Sequence, residues 1–362
     1  MNKNYLLLSA VLSVLLMTSC SSSDTEEGTT VKGSPAVVNL ELNGKSMTRS
    51  APSGDEATIS AGQAVAFDGS GAIIGDVQSF STTTPTITTT TQATQVSVVA
   101  NPGSTSTFTS IVNKTNLEAV TTDLASTTTS VTSPKSQDAT KLPKYGNATL
   151  TFGADSKAYP SVDMYNLVGK IKLSSIKTNF TGTGYEGATF IPKEVFLYNA
   201  NTVSTFGGTG SSPQTGENTN DSYAVGTPTN FYYLSSGPIS SYDEGNPTVY
   251  TFYTFPNTSA TTPTKLVIKG EFKPQGGSAE YIYYPITINK FQDGTTIKKG
   301  TTELTEADAN DSKIVNSTSY DVSITISGKG VKTPGDNITP SSAKITMNVK
   351  DWTDYTQDVT VK

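Results

Sequence analysis

The sequence predicts an all-β protein made of two β-sandwich domains, with one short helix in the first. Three observations carry that expectation. Short apolar or period-two stretches recur along the chain, separated by clusters of Gly, Pro, Ser, Thr and Asn that suit turns. Apolar residues make up only 34% of the 362 residues, which fits β-structure with long loops better than a helical protein. The length also allows two domains of ordinary size, each with a sizeable core.

Residues 1–20 have the layout of an export signal. Lys3 supplies the positive start, Tyr5 to Met17 an apolar run of thirteen, and Met17-Thr18-Ser19-Cys20 a small-residue close. Thirteen apolar residues are too few to span a bilayer, which takes about twenty, so the segment is expected to be removed. Cys20, the only cysteine, directly follows that run and resembles the lipobox of bacterial lipoproteins, whose thiol is acylated and becomes the new N-terminus. Ser21-Ser22-Ser23-Asp24-Thr25-Glu26-Glu27 is polar and acidic, a tether between lipid and folded protein. It resembles the acidic signal that sends lipoproteins of Bacteroidia to the outer face of the outer membrane. With Cys20 committed to lipid, no cysteine is left for a disulfide, and stability must come from sheet packing.

The tether and a first strand together occupy 21–49. Ala36, Val38, Leu40 and Leu42 fall on one face of that strand and Asn39, Glu41 and Asn43 on the other. Arg49, the only arginine among 25 Lys and Arg, follows it directly. A protease that reads arginine would cut here once and leave Ser50 as the first residue of an otherwise whole chain.

Further along, Ala64-Val65-Ala66-Phe67 leads into Asp68-Gly69-Ser70-Gly71 and Ala72-Ile73-Ile74 resumes, a hairpin by its Asp-Gly turn. The Thr-rich run 82–91 reads as a solvated loop or edge strand, because polar low complexity forms no core. Residues 95–100 form a buried strand that Asn101-Pro102-Gly103 stops. A helix is expected next: Thr115-x-x-Glu118 has the form of a capping box, and Leu117, Val120 and Leu124 recur at helical spacing. Strands at 148–152, 167–173 and 190–199 complete a first sandwich, 50–203. The Gly-, Ser-, Thr- and Asn-rich stretch 202–227 sets the boundary. The second sandwich, 204–362, takes strands at 231–234, 250–255, 265–272, 281–288, 320–326, 343–349 and 358–361. At its end Ile345, Met347 and Val349 alternate, Trp352 sits in a polar interruption, and Val359 and Val361 alternate again.

Residues 1–49 hold four basic and four acidic groups, so the net charge of −6 belongs wholly to the remainder. A mildly acidic surface argues against nucleic acid and anionic lipid. The absence of histidine excludes Ser-His and Cys-His nucleophile pairs and any zinc site that uses imidazole. No enzyme activity, cofactor or metal is expected. A carboxylate pair can hydrolyse a glycoside, but nothing in the spacing of the 31 acidic residues nominates one. Asp308-Ala309-Asn310-Asp311 lacks the spacing and the later bidentate glutamate of an EF-hand loop and reads as a solvated turn. Tyrosines at 232–233 and at 281, 283 and 284 suit either a sugar-stacking platform or sheet packing.

Taken together, the lipobox, the alternating strand ending at an arginine, "AVAFDGSGAIIG", "VSVVANPG", "LPKYG", "VFLYN", "STSYDVSITISGKG" and "ITMNVKDWTDYTQDVTVK" resemble the FimA-like fimbrillins, structural subunits of type V pili in Bacteroidia. The resemblance covers nearly the whole chain in order. One departure is Val315-Asn316, where Arg-Asn is expected before the tyrosine of the late strand. The resemblance implies two transthyretin-like sandwiches, export as a lipoprotein, and removal of the first strand by an arginine-specific protease at Arg49. It also implies a filament of copies of this chain or related pilins, used in adhesion and biofilm. Strand physics suggests how such a chain would join. A vacated groove exposes unpaired backbone groups, and a C-terminal donor at 343–361, carrying Ile345, Met347, Val349, Trp352, Val359 and Val361, would refill a neighbour's groove by strand addition. Donor and acceptor lie at opposite ends of the molecule, so the contact is heterologous and gives a filament. The alternative is a monomeric surface lipoprotein that binds glycans, which would keep 21–49.

Overall fold

The structure is a computed structural model and describes residues 33–44, 55–127, 137–217, 232–291, 295–305, 312–339 and 341–351. The chain begins there with β1 (Pro35–Asn39) and β2 (Glu41–Gly44), which bury alternate residues. Next come β3 (Gly62–Phe67), β4 (Gln78–Phe80), β5 (Thr86–Thr90) and β6 (Gln95–Ala100). After helix α1 (Lys114–Ala119) follow β7 (Thr121–Asp123), β8 (Lys144–Thr149), β9 (Lys157–Ala158) and β10 (Ser161–Asn166). One sheet has the order β2-β10-β8-β6-β3-β4 and another β5-β1-β9. The two run on into each other, because β1 continues into β2 through Leu40 and β9 into β10 through Tyr159 and Pro160.

β3 and β6 are buried on both faces, which is why they read as near-continuous apolar runs. Ala64, Ala66, Val96 and Val98 share one apolar cluster with Val38, Leu40, Leu42, Val162 and Met164. Val65, Phe67 and Val99 join Leu117, Leu124 and Leu142 in the other. The threonine-rich run supplies β5, an edge strand on β1 in which Ile87 and Thr89 turn inward. At the 68–71 turn the Asp68 carboxylate accepts from the Ser70 hydroxyl at 2.7 Å and from the Ser70 and Ala72 N–H groups at 2.8 and 3.0 Å. These bonds, the Ser70 hydroxyl first, hold its pKa below the usual carboxylate value.

The helix forms, but its start differs from the expected capping box. Asn113 is the N-cap, and its side chain accepts from the Asn116 N–H at 2.8 Å. Thr115 lies inside the first turn, and Glu118 accepts instead from the Tyr145 hydroxyl at 2.9 Å.

The second half supplies β11 (Gly169–Thr178), β12 (Thr189–Tyr198), β13 (Ala200–Thr205), β14 (Gly210–Gln214), β15 (Tyr250–Thr254) and β16 (Lys265–Lys273). It ends with β17 (Glu280–Thr287), β18 (Thr295–Lys299), β19 (Thr302–Glu303), β20 (Thr318–Ile326) and β21 (Ala343–Asp351). The sheet orders are β15-β11-β20-β21-β18-β19, β12-β16-β17 and β14-β13-β7. The pairing runs across the position 203/204 where a boundary is expected. β11 and β12, expected in the first sandwich, pair with β15 and β20 and with β16, so partners change at Gly169. The low-complexity stretch after 202 holds the end of β13 and all of β14, which pair with each other, β13 also with β7. The apolar rows of Ile171, Leu173 and Ile176 are completed by the cluster that holds Phe252, Tyr320 and Ile324, and that cluster runs unbroken from Val65 to Met347. From Gly33 onward the chain clusters as one compact unit.

Gly270 on β16 lies between Pro192 of β12 and Ile282 of β17. A Cβ there would sit 2.3 Å from Phe190 Cζ and 2.6 Å from the Ile191 carbonyl oxygen. Gly270→Ala is expected to cost about 1–3 kcal/mol by overpacking. Urea unfolding checks this, and an unchanged midpoint would show that Phe190 does not cover the glycine.

Candidate functional site

The segment 35–44 is set between two walls. On one side β1 runs antiparallel to β5, with Pro35 opposite Thr90 and Asn39 opposite Thr86. That ladder is extended by the Leu40 N–H to Pro85 O at 2.8 Å and the Leu42 N–H to Thr83 O at 2.9 Å. On the other side β1 runs parallel to β9 and β2 parallel to β10, with Glu41 opposite Ser161 and Gly44 opposite Met164. The Val37 N–H to Ser156 O at 3.0 Å and the Glu41 N–H to Pro160 O at 3.1 Å complete this second ladder. Both edges of one segment are therefore hydrogen-bonded.

Its side chains follow the pleat. Ala36, Val38, Leu40 and Leu42 are buried, and Glu41 is exposed. Asn39 accepts from the Thr86 hydroxyl at 2.9 Å, and Asn43 donates to the Ser161 hydroxyl at 2.6 Å, so the outward row carries the polar contacts. Val38, Leu40 and Leu42 reach the cluster of Ile87, Val96, Val98, Val162 and Met164. Withdrawing the segment would leave a groove floored by those apolar residues and lined on both sides by unpaired backbone groups.

Near the other end of the chain β21 is an interior strand of its sheet. It pairs antiparallel with β20 over nine residue pairs, from Thr318–Asp351 to Ile326–Ala343, and parallel with β18 from Ile345 to Asn348. Ile345 and Met347 are buried in their own core and Val349 lies half-buried against it, while Lys344 and Thr346 are exposed. Arg49, Ser50, Cys20, Trp352, Val359, Val361 and the Asp308-Ala309-Asn310-Asp311 stretch lie outside the described residues.

The tyrosines do not form one platform. On β17 Tyr281 is half exposed, Tyr283 donates to Glu217 Oε1 at 2.6 Å, and Tyr284 points inward to donate to the Gly328 carbonyl at 2.6 Å; Tyr233 is buried. Among the described residues no group of three or more His, Cys, Asp and Glu side chains is placed to hold a metal.

One buried group went unmarked in the sequence. Lys144 is fully buried, and its Nζ donates to the Leu142 carbonyl at 3.2 Å and to Asn166 Oδ1 at 2.8 Å. Burial presses its pKa down to about 7, against an opposing pull from the charge of Glu56. Strand parity carried the signal, because Leu142, Lys144 and Gly146 share the inward row.

Fold and site define an all-β subunit with an N-terminal strand inlaid between two neighbours. Residues 169–352 match the family model described as FimA-like major fimbrial subunit protein, C-terminal domain, and the chain belongs to that family. It is thus a fimbrial subunit, of a structural and not an enzymatic family, which belongs at the cell surface or in an extracellular fimbrium and assembles with itself or related subunits. Among solved structures, a putative cell adhesion protein from Bacteroides eggerthii DSM 20697 is 26% identical, with a TM-score of 0.65 over 90% of this chain and 98% of that one. A fimbrilin from Porphyromonas gingivalis W83 shares the fold at 17% identity, TM-score 0.62, over 88% and 98% of the two chains. A putative cell adhesion protein from Parabacteroides distasonis ATCC 8503 shares it at 18% identity, TM-score 0.61, over 88% and 100%. No curated protein matches the chain.

Proposed function

We propose that this chain is a polymerising shaft subunit of a cell-surface fimbrium. It is exported as an outer-membrane lipoprotein through Cys20 and cut after Arg49 by an arginine-specific protease. It is then joined to its neighbour when C-terminal residues from 343–361 enter the vacated groove. The observation that carries this reading is the inlaid segment 35–44, bonded along both edges and followed directly by the only arginine. A permanent core strand has no need of a unique cleavage residue behind it. A removable one does.

The shaft role rests on both ends of the chain together: an anchor would lack the cleavable arginine, and a tip would lack spare C-terminal strands. The deciding measurement is the N-terminal residue of the protein isolated from cells. Ser50 is expected in fibres. Arg49→Ala is expected to leave a lipidated precursor at Cys20 with its groove filled and to abolish fibres. Fibres of normal length from that variant would sink the proposal, and retained Cys20 in the wild-type protein would favour a monomeric surface lipoprotein.

A further inference from the structure

Once 33–49 is gone, the wall formed by β9 and β10 loses its partners β1 and β2. What then ties β10 to the sheet is its pairing with β8, and that pairing has only two positions, Tyr165 opposite Tyr145 and Asn166 opposite Lys144. The second of these holds the buried lysine. Both hydrogen-bond acceptors of Lys144 among the described residues are neutral, the Leu142 carbonyl and the Asn166 carboxamide. Burying an ammonium among neutral acceptors is disfavoured, and here burial outweighs the opposing pull of the Glu56 charge, so the side chain is poorly suited to act as a cation. As a free amine it is a nucleophile 2.8 Å from a carboxamide oxygen in a site closed to water.

We propose that Lys144 and Asn166 are joined by an intramolecular isopeptide bond that pins the groove wall to its sheet. The Nζ lone pair adds to Asn166 Cγ, the Cγ–Nδ2 bond breaks, one proton passes from Nζ to Nδ2, and ammonia leaves. The step consumes no oxidant and no cofactor. Oδ1 faces the amine while Nδ2 donates to the Glu56 carbonyl at 3.5 Å, so the leaving nitrogen is turned away from the nucleophile. The Glu56 carboxylate is the charged group that acts on Lys144. It is held in place by Lys170 Nζ at 2.6 Å and the Tyr253 hydroxyl at 2.7 Å. With no cysteine besides Cys20, a disulfide cannot do this job. Ser317 fixes the same node by donating to the Asn166 carbonyl at 2.9 Å.

The chemistry of the pair stands apart from polymerisation, but its purpose rests on the proposed loss of 33–49. The test therefore uses the uncut precursor isolated from cells, so that failure of the bond and failure of the cleavage reading are told apart. Complete tryptic digestion is expected to give a branched peptide joining 142–157 to 158–170, uncut after Lys144 and lighter than the two peptides together by one ammonia. Asn166→Ala should restore cutting after Lys144. Separate peptides from the wild-type protein, cut after Lys144, overturn the proposal without any variant having to fold. So does a wild-type stability that climbs from about pH 7 toward 10.5, the range over which a free buried Lys144 stays neutral while the unfolded chain takes up its proton. An amide would not titrate.

Discussion

A chain shortened to begin at Ser50 is expected to unfold at far lower denaturant than one that keeps residues 33–49. The segment brings Val38, Leu40 and Leu42 into the core. At about 1.5–3 kcal/mol for each buried side chain, their loss amounts to roughly 5–9 kcal/mol as an upper estimate. Net stabilities of whole domains are only about 5–15 kcal/mol, so the open groove would bring the free subunit close to unfolding before any backbone term is counted. A peptide covering 33–44, added in trans, should restore much of the loss as its concentration rises, because it binds the folded form alone. Peptides with Asp at Val38 or Leu40 should fail to rescue, whereas Asp at Asn39, on the outward row, should still do so. Superimposable urea curves for the shortened and full chains would mean that the segment is a tether, and the groove would have to be abandoned.

Such a strand is legible in a sequence because one face meets the core and the other meets solvent, so period two survives in the residues 36–43 themselves. β3 and β6 were legible for the opposite reason: both faces are covered, and the apolar run is unbroken. The change of sheet partner at Gly169 was not legible. Lys170 pairs with Ser319, and a partner that distant leaves no local mark. The Gly- and Ser-rich stretch beyond 202 did leave a local mark, but composition does not say that β13 and β14 pair there, β13 also with the distant β7. The helix cap went to Asn113 over Thr115 because both residue types can cap, and only the chain path decides between them. Parity already separates Tyr281 and Tyr283 from Tyr284 on one strand. It also places Lys144 inward, although a lysine in isolation reads as a surface residue.

The second large effect concerns the other end. Truncation after Pro340 would remove β21 whole, unpairing β20 over nine positions and β18 over four, and stripping Ile345 and Met347 from the core. That variant is expected to fail in folding, so loss of fibres from it says nothing about donation. Met347→Asp has the same defect, since Met347 is fully buried in its own subunit. Transferring β21 to a neighbour would fill one groove by opening another of similar size, so the exchange gains little on burial alone. Residues 352–361, with Trp352, Val359 and Val361, are the part of the expected donor that can be removed with β21 left whole. Truncation after Asp351 is therefore the informative cut. It is expected to leave the precursor folded, with an unfolding midpoint close to the full chain's, and after cleavage at Arg49 to abolish assembly. A strand held along its whole length leaves slowly, so the full-length protein should run as detergent-resistant ladders on a gel and the truncated one as a single subunit band. Ladders that persist without 352–362 would move the donor inward to β21 despite that cost, or to another segment altogether. Exchange at β21 would then show as fast amides on β20 and β18 in the free cleaved subunit, because both strands lose a partner whenever β21 departs.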